Sequence, residues 1–327
     1  MHVELVVPAL FQAEAPAPAL EMLLARGRRT ANAACSLEDW YGRAFGLPPS
    51  LPAGALTALA YDDPDASRSG WLRADPVHLR ADRDRLLLIP SAGFEVSGDE
   101  ARQLCAALNS HFSAQFSLHE FTPEVWGLRL WVPLNPQTRA PIEIAGRSVD
   151  DELPEKGWHA LLNEIQMALY QHPVNTAREA RGAPVINSVW PWGAGPLPGA
   201  ARGPWQSLSA EDPVARGLAR LAGMRQRASA EGAELWLARA PEDGRHLVVL
   251  DALRGAAALG DAQALAQRLQ ALEDAWFAPL LVALRGGRIG MLTTHVPDAG
   301  ASFETIRGDL RRFWRRPRAL ATYQATP

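Results

Sequence analysis

The chain has almost no lysine. Lys156 is the only one in 327 residues, so arginine carries nearly all of the positive charge. That arginine is not in excess: 36 acids face 33 bases, for a formal net charge of −3, which argues against a general nucleic-acid binder. Cysteine is equally scarce. Cys35 and Cys105 by themselves build neither a disulfide framework nor a zinc site, so a cytoplasmic location is expected. Long apolar runs are missing too: none approaches the ~20 residues that cross a bilayer. The first apolar run contains Glu4 and follows no basic leader, so no signal peptide is expected.

What is present is the composition of a globular protein, 47% hydrophobic and 21% charged. The length allows one large or two ordinary domains. Residues 3–10 are apolar enough for a buried first strand, and 19–26 follow as a helix with Gly27 at its end. Strand then helix is the opening of an α/β sheet. Residues 71–89 predict two strands around the charged turn 80–85. Residues 116–132 predict a hairpin, with Trp126, Leu128, Leu130 and Val132 alternating. Further on, the Pro- and Gly-rich stretch 196–209 reads as a linker, and Asp212-Pro213 starts a helix. Residues 246–251 read as a strand, 262–284 as a long amphipathic helix, and 288–295 as the last clear strand. No internal repeat is evident.

Polar chemistry concentrates in 172–195, HPVNTAREARGAPVINSVWPWGAG. An amphipathic helix over 158–170 stops at His172-Pro173, because a residue before proline avoids the helical region. A polar turn then leads into a short strand over 185–189, Trp190, Trp192 and two glycines. Such a sequence builds one wall of a pocket, or a core strand with two tryptophans beneath a loop. As a wall it offers His172, Asn175, Arg178, Arg181, Asn187, Trp190 and Trp192 as ligand contacts, with Arg73, Asp75 and His78 of WLRADPVHL nearby. Asp75 and His78 read either as an acid–base pair or as a structural hydrogen bond.

HPVN, an arginine-bearing turn and W-x-W-G-x-G together resemble the archaeal-type cofactor-independent phosphoglycerate mutases, members of the alkaline phosphatase superfamily. The chain is still more similar to the bacterial RpfE-type regulatory proteins, remote relatives of those mutases. The resemblance continues at Ala17-Pro18-Ala19-Leu20-Glu21, through 71–79, in GLRLWV at 127–132, and in the helix DPVARGLARLAGM at 212–224. It implies an alkaline phosphatase-like α/β core, with helices on both faces of its sheet, from residues 1–61 and 196–327. Residues 62–195 would form an inserted α+β domain.

The resemblance also marks what is gone. The family's first strand ends in a metal-binding aspartate, where this chain has Val7-Pro8-Ala9-Leu10. Its nucleophile falls on Pro52 or Ala53, with Thr57 the nearest hydroxyl on the C-terminal side. Further metal-ligand positions correspond to Arg254 and Ala258 in the motif that opens with Asp251. In a second motif Thr294 replaces the aspartate beside His295. One histidine cannot hold two divalent cations, and an arginine repels them while suiting phosphate or carboxylate. The expectation is therefore a catalytically degenerate, regulatory or ligand-binding relative, with no catalytic residue, metal or cofactor. Its ligand would be a small phosphorylated or carboxylated metabolite. The alternatives are an active mutase or phosphatase with a rebuilt site, and a protein-binding adaptor. The tail DLRRFWRRPRAL, 309–320, is expected as a terminal helix docked by Phe313 and Trp314 with its arginines in water; as a nucleic-acid or anionic-membrane contact it would be weak.

Overall fold

A computed structural model describes residues 1–48, 50–82, 85–132, 134–149, 152, 156–227, 232–239 and 243–324. The tip of the expected charged turn, Arg83 and Asp84, lies outside them. From the N-terminus, β1 (His2–Val6) leads through α1 (Pro18–Arg26) to β2 (Arg28–Ala31) and α2 (Leu37–Ala44). Then come α3 (Ala53–Ala60), β3 (Trp71–Asp82), β4 (Arg85–Pro90), α4 (Gly98–His111), the hairpin β5 (Phe116–Thr122) and β6 (Val125–Leu130), α5 (Lys156–Tyr170), α6 (Pro173–Ala180) and β7 (Ser188–Trp192). The chain continues through β8 (Ser207–Ser209), α7 (Pro213–Leu221), β9 (Arg225–Arg227), α8 (Ala233–Arg239) and β10 (Arg245–Val249). It ends with α9 (Leu253–Ala258), α10 (Ala262–Leu272), α11 (Ala278–Gly286), β11 (Met291–Val296) and β12 (Ala301–Ile306).

These elements make two compact units, Met1–Leu47 with Ala200–Pro327, and Pro48–Gly199. Helix α3, which the sequence reading put with the first body, belongs to the second. In the first unit the described strands form one sheet ordered β2-β12-β11-β1-β10-β8-β9. Strands β11, β1, β10, β8 and β9 run parallel, and β12 and β2 add an antiparallel edge. This is an α/β sheet, as the opening strand and helix implied. Val3, Leu5 and Val7 pack on one face with α1, α10 and α11, while Glu4, on the other, meets His295, whose ring packs on Trp40 of α2. Period-two alternation thus buries a strand between helices on both faces.

The helix expected over 262–284 is continuous but contains a π turn at Glu273–Phe277. That turn aims the buried Glu273 carboxylate at the start of α1, where it accepts from Ala19 N at 2.6 Å and Leu20 N at 3.2 Å. A distant side chain therefore caps this helix, which has no cap of its own. Gly27 caps the other end as expected, its N–H donating to Leu23 O at 3.0 Å from an extended backbone with φ −66°. The glycine serves close approach: a Cβ would meet Thr305 Oγ1 at 2.5 Å. The strand over 288–295 is not the last, since β12 pairs with it.

The second unit's sheet runs β4-β3-β6-β5, with β7 also on β3. Leu72, Trp126, Leu128 and the apolar faces of α4 and α5 form one core. Trp71 on the opposite face packs with Ala55 and Ala58 of α3. Two readings of the sequence are corrected here. The polar turn after His172-Pro173 is helical, as α6, and the strand expected over 185–189 lies at 188–192. Proline ended one helix but, at the first position of the next, suits it.

The C-terminal tail is corrected as well. Two short 3₁₀ turns form, at Asp309–Arg311 and Leu320–Tyr323, in place of a helix, and Phe313 and Trp314 are 78% and 66% exposed. It is held by arginine instead: Arg312 and Arg315 donate to the carbonyls of Arg26 and Gly27 at 3.2 and 2.9 Å.

Helix α3 lies so close to β3 that a Cβ on Gly54 would meet Leu72 Cα at 2.2 Å, while Gly54 N donates to Gly193 O. Neither backbone can yield without breaking its pairing. Gly54→Ala is expected to destabilise the protein by about 3 kcal/mol, measured as a denaturant-midpoint shift; an unchanged midpoint would refute the close packing.

Candidate functional site

The residues that the sequence singled out in the second unit are framework. Asp75 Oδ1 accepts from Arg73 Nε at 3.0 Å, Arg73 Nη2 at 2.6 Å and Trp126 N at 3.2 Å; its Oδ2 accepts from the Trp192 indole at 2.8 Å. The Arg73 guanidinium also lies 5.2 Å from the Trp192 ring and 3.4 Å from Thr57 Oγ1. Arg73 and Asp75 are 6% and 4% exposed. Asp75 and His78 do not form a pair: His78 Nδ1 faces Val185 O at 2.9 Å. Asn187 bonds both N and O of Leu79, and the Trp190 indole donates to Arg139 O.

The HPVN segment behaves alike. His172 caps α6 by accepting from Val174 N. Asn175 donates to Leu169 O and Ile186 O and accepts from Ile186 N, so it stitches α5 to the approach of β7. Arg178, 1% exposed, donates to Pro184 O, Glu95 O and Glu100, and Arg181 also pairs with Glu100. These amides and guanidiniums are engaged with the protein itself. Buried polar groups demand such partners, which makes the same residue types equally suited to a pocket or to a scaffold.

Burial pushes the Glu100 carboxyl up, but Ser97 N–H and the two arginines outweigh it and hold the pKa at about 2, below its ordinary 4.5. A folded value below the unfolded one means stability that is complete above pH 4.5 and lost as pH falls toward 2. Glu100→Gln should therefore cost about 2 kcal/mol at neutral pH, with the difference from the parent closing in acid. A pH-independent difference would show the ion pairs to be idle.

The first unit holds the other group. At the C-terminal ends of β8 and β10 stand Asp212 and Asp251, and α2 closes over them. Tyr41 OH donates to Asp212 Oδ2 at 2.7 Å. Arg254, on α9, reaches both carboxylate oxygens of Glu38 at 3.0 Å. Burial raises Asp212, and burial with the Asp212 charge raises Asp251 to about 6. Burial would lower Arg254, yet Glu38, Asp212 and Tyr41 raise it instead. Ala258 ends α9, and Thr294 is buried within β11. Ala9, at the end of β1, holds a left-handed φ of 63° and donates to Asp298 Oδ1 at 2.9 Å.

Two divalent cations do not fit this place. Arg254 holds a permanent positive charge between the carboxylates, and Glu38 is already bidentate to it. Among the described residues no three His, Cys, Asp or Glu side chains converge as a metal site.

Beside this cluster is a cavity of about 410 Å³. Trp40 and Trp205, with ring centroids 6.2 Å apart, make its aromatic wall; Glu4, His295, Arg43 and Asn32 supply polar groups. Glu4 is 3% exposed and accepts from Arg245 Nε at 2.8 Å, with His295 Nε2 at 3.2 Å. Burial raises this carboxyl, and the His295 and Arg245 bonds more than reverse it. The Trp205 indole N–H is buried with no acceptor among the described residues, a deficit of about 1–3 kcal/mol. Sequence reasoning passed over Trp40, Trp205 and Tyr41. Glu4 was visible, since a carboxylate in an apolar strand must find a partner.

Asp251 gives a test of this electrostatic picture. Its folded pKa of about 6 lies above its ordinary 3.8, so stability is highest below 3.8 and falls as pH rises toward 6. Asp251→Asn should gain about 2 kcal/mol at neutral pH and nothing in acid, by pH-dependent thermal unfolding. A loss at neutral pH would mean that the ionised carboxylate is a needed partner of Arg254.

Fold and site together define an α/β protein with an ion pair, Arg254–Glu38, and a Tyr41–Asp212 hydrogen bond beside the C-terminal ends of its sheet strands. No family model and no curated protein matches the chain. Among solved structures it is similar to the PH0037 protein from Pyrococcus horikoshii, with TM-score 0.51 and 11% identity, over 93% of this chain and 86% of that one. It also matches the cofactor-independent phosphoglycerate mutase from Thermoplasma acidophilum, with TM-score 0.39 and 18% identity, over 94% and 90%. At such identities the first likeness is one of fold. No helix among the described residues is long and apolar enough to cross a membrane.

Proposed function

We propose that this chain is a phosphoglycerate mutase-like protein that has lost two-metal phosphoryl transfer and acts by binding, in a regulatory role of the RpfE type. The observation that carries the reading is the Arg254–Glu38 pair, in which one guanidinium nitrogen, Nη2, reaches both carboxylate oxygens. It puts a guanidinium where the family resemblance implies a metal ligand, and α2 is anchored there a second time through Tyr41 and Asp212. The pair is only partly exposed, at 18% and 14% of its side chains, so removing either member leaves a poorly solvated charge.

The ligand is a small carboxylated or phosphorylated metabolite, and its place is the Trp40–Trp205 cavity, because the HPVN side chains are engaged elsewhere. Arg43 is exposed at the cavity and suits an anion, and the tryptophans suit an apolar body.

The purified protein is expected to contain no stoichiometric metal by mass spectrometry. With added manganese it should turn over neither phosphoglycerate nor a phosphate monoester. Stoichiometric metal with turnover would establish the active-enzyme alternative.

A further inference from the structure

On the first unit, away from the Arg254 cluster, a surface basin of about 580 Å³ is lined by six arginines: Arg28, Arg29, Arg312, Arg315, Arg316 and Arg318. Among the described residues no acidic side chain lines it; Leu24, Phe303 and Tyr323 supply its apolar wall. The whole chain carries net charge −3, so this is a local reversal of sign and not a general basicity. The guanidiniums come from two distant stretches, β2 and the tail, and only folding brings them together.

Their existing partners are unequal. Arg28 pairs with Glu304 and Arg312 with Asp309, while Arg315 donates to Gly27 O. Arg29 lies over the Phe303 ring, 5.8 Å from its centroid. Arg29, Arg316 and Arg318 have no acidic partner among the described residues. Like charges gathered in one concavity repel, and the field they focus there attracts an anion of matching size.

We propose that this basin is a binding site for a small ligand carrying two or more phosphate groups. A guanidinium offers a planar fork that matches phosphate oxygens, and several forks converging from two sides suit adjacent phosphates better than a lone one. The volume lies within the range of small-molecule pockets, ~300–1,000 Å³, and the buried Phe303 ring with Tyr323 stacked beside Phe11 gives an apolar wall for the rest of the ligand. Arg312 and Arg315 are held in place by the backbone carbonyls of 26 and 27, which limits the ordering that binding would require. A concave site favours a compact anion over a membrane surface. The two exposed aromatics that a membrane would engage, Phe313 and Trp314, do not line the basin.

The test is calorimetric titration of the full chain with inorganic tripolyphosphate at physiological ionic strength, against the double variant Arg316→Glu/Arg318→Glu. Both positions are exposed, so the thermal midpoint should not change and serves as the folding control. Saturable one-to-one binding is expected, weakened at least about tenfold in the variant, with orthophosphate binding about tenfold more weakly than tripolyphosphate. If Arg316→Glu/Arg318→Glu misfolds, Arg29→Gln must show the same loss. No tripolyphosphate binding, or binding that these substitutions leave unchanged, overturns the proposal. So does binding of phosphatidylserine vesicles or of a single-stranded oligonucleotide that tripolyphosphate does not compete away, since the basin would then serve a macromolecular surface.

Discussion

Buried charge that must be answered from a distance is the constraint on which both units depend. In the second unit Asp75 is the clearest case. Its two oxygens accept from Arg73 beside it on β3, from the backbone of β6 and from the Trp192 indole on β7. Strand β3 changes partner along its length, from β6 at residues 71–73 to β7 at 73–77. The carboxylate sits at that changeover and binds all three strands. An unpaired carboxylate there would be prohibitive, so the register of one strand constrains the other two. Glu100 does similar work between α4 and α6, and its depressed pKa reports how strongly the ionised form is preferred.

The first unit answers its buried charges across greater sequence separations. Glu4 meets Arg245 and His295, Glu273 caps α1, and Arg254 meets Glu38. Each contact ties an early element to one more than 200 residues later, so none can form until the sheet is assembled. The Arg254–Glu38 pair carries the functional reading for the same reason. A metal centre needs carboxylates that are free to coordinate, and here the carboxylate of α2 is committed to a guanidinium. Beside that pair Trp40, Trp205 and Arg43 line a cavity.

Much of the architecture was legible from pattern alone. Alternation in 116–132 and apolar spacing in 158–170 gave the hairpin and helix nearly to their observed ends, because both patterns report which face is buried. Asp212-Pro213 started a helix as expected, with Asp212 capping it. The candidate site was less legible. His172, Asn175, Arg178 and Asn187 have the composition of a ligand-binding wall, but composition does not say whether an amide faces a cavity or a neighbouring backbone. Here it faces backbone. The tail misled for a related reason: an amphipathic pattern implies a docked apolar face, whereas arginine side chains donating to the carbonyls at the end of α1 hold the tail and leave the aromatics outside.

By itself, then, the sequence determined much of the local conformation: where α5 and α7 lie and which strands alternate. Tertiary structure decided everything that depends on partners. It chose Glu38 and Tyr41 to close over the sheet ends, buried Asn175 and Arg178 against backbone carbonyls, and gathered six arginines from two stretches of the chain into one basin. The physical reason is that hydrogen bonds and ion pairs are specified by proximity in space, and for these groups proximity exists only after the chain has folded.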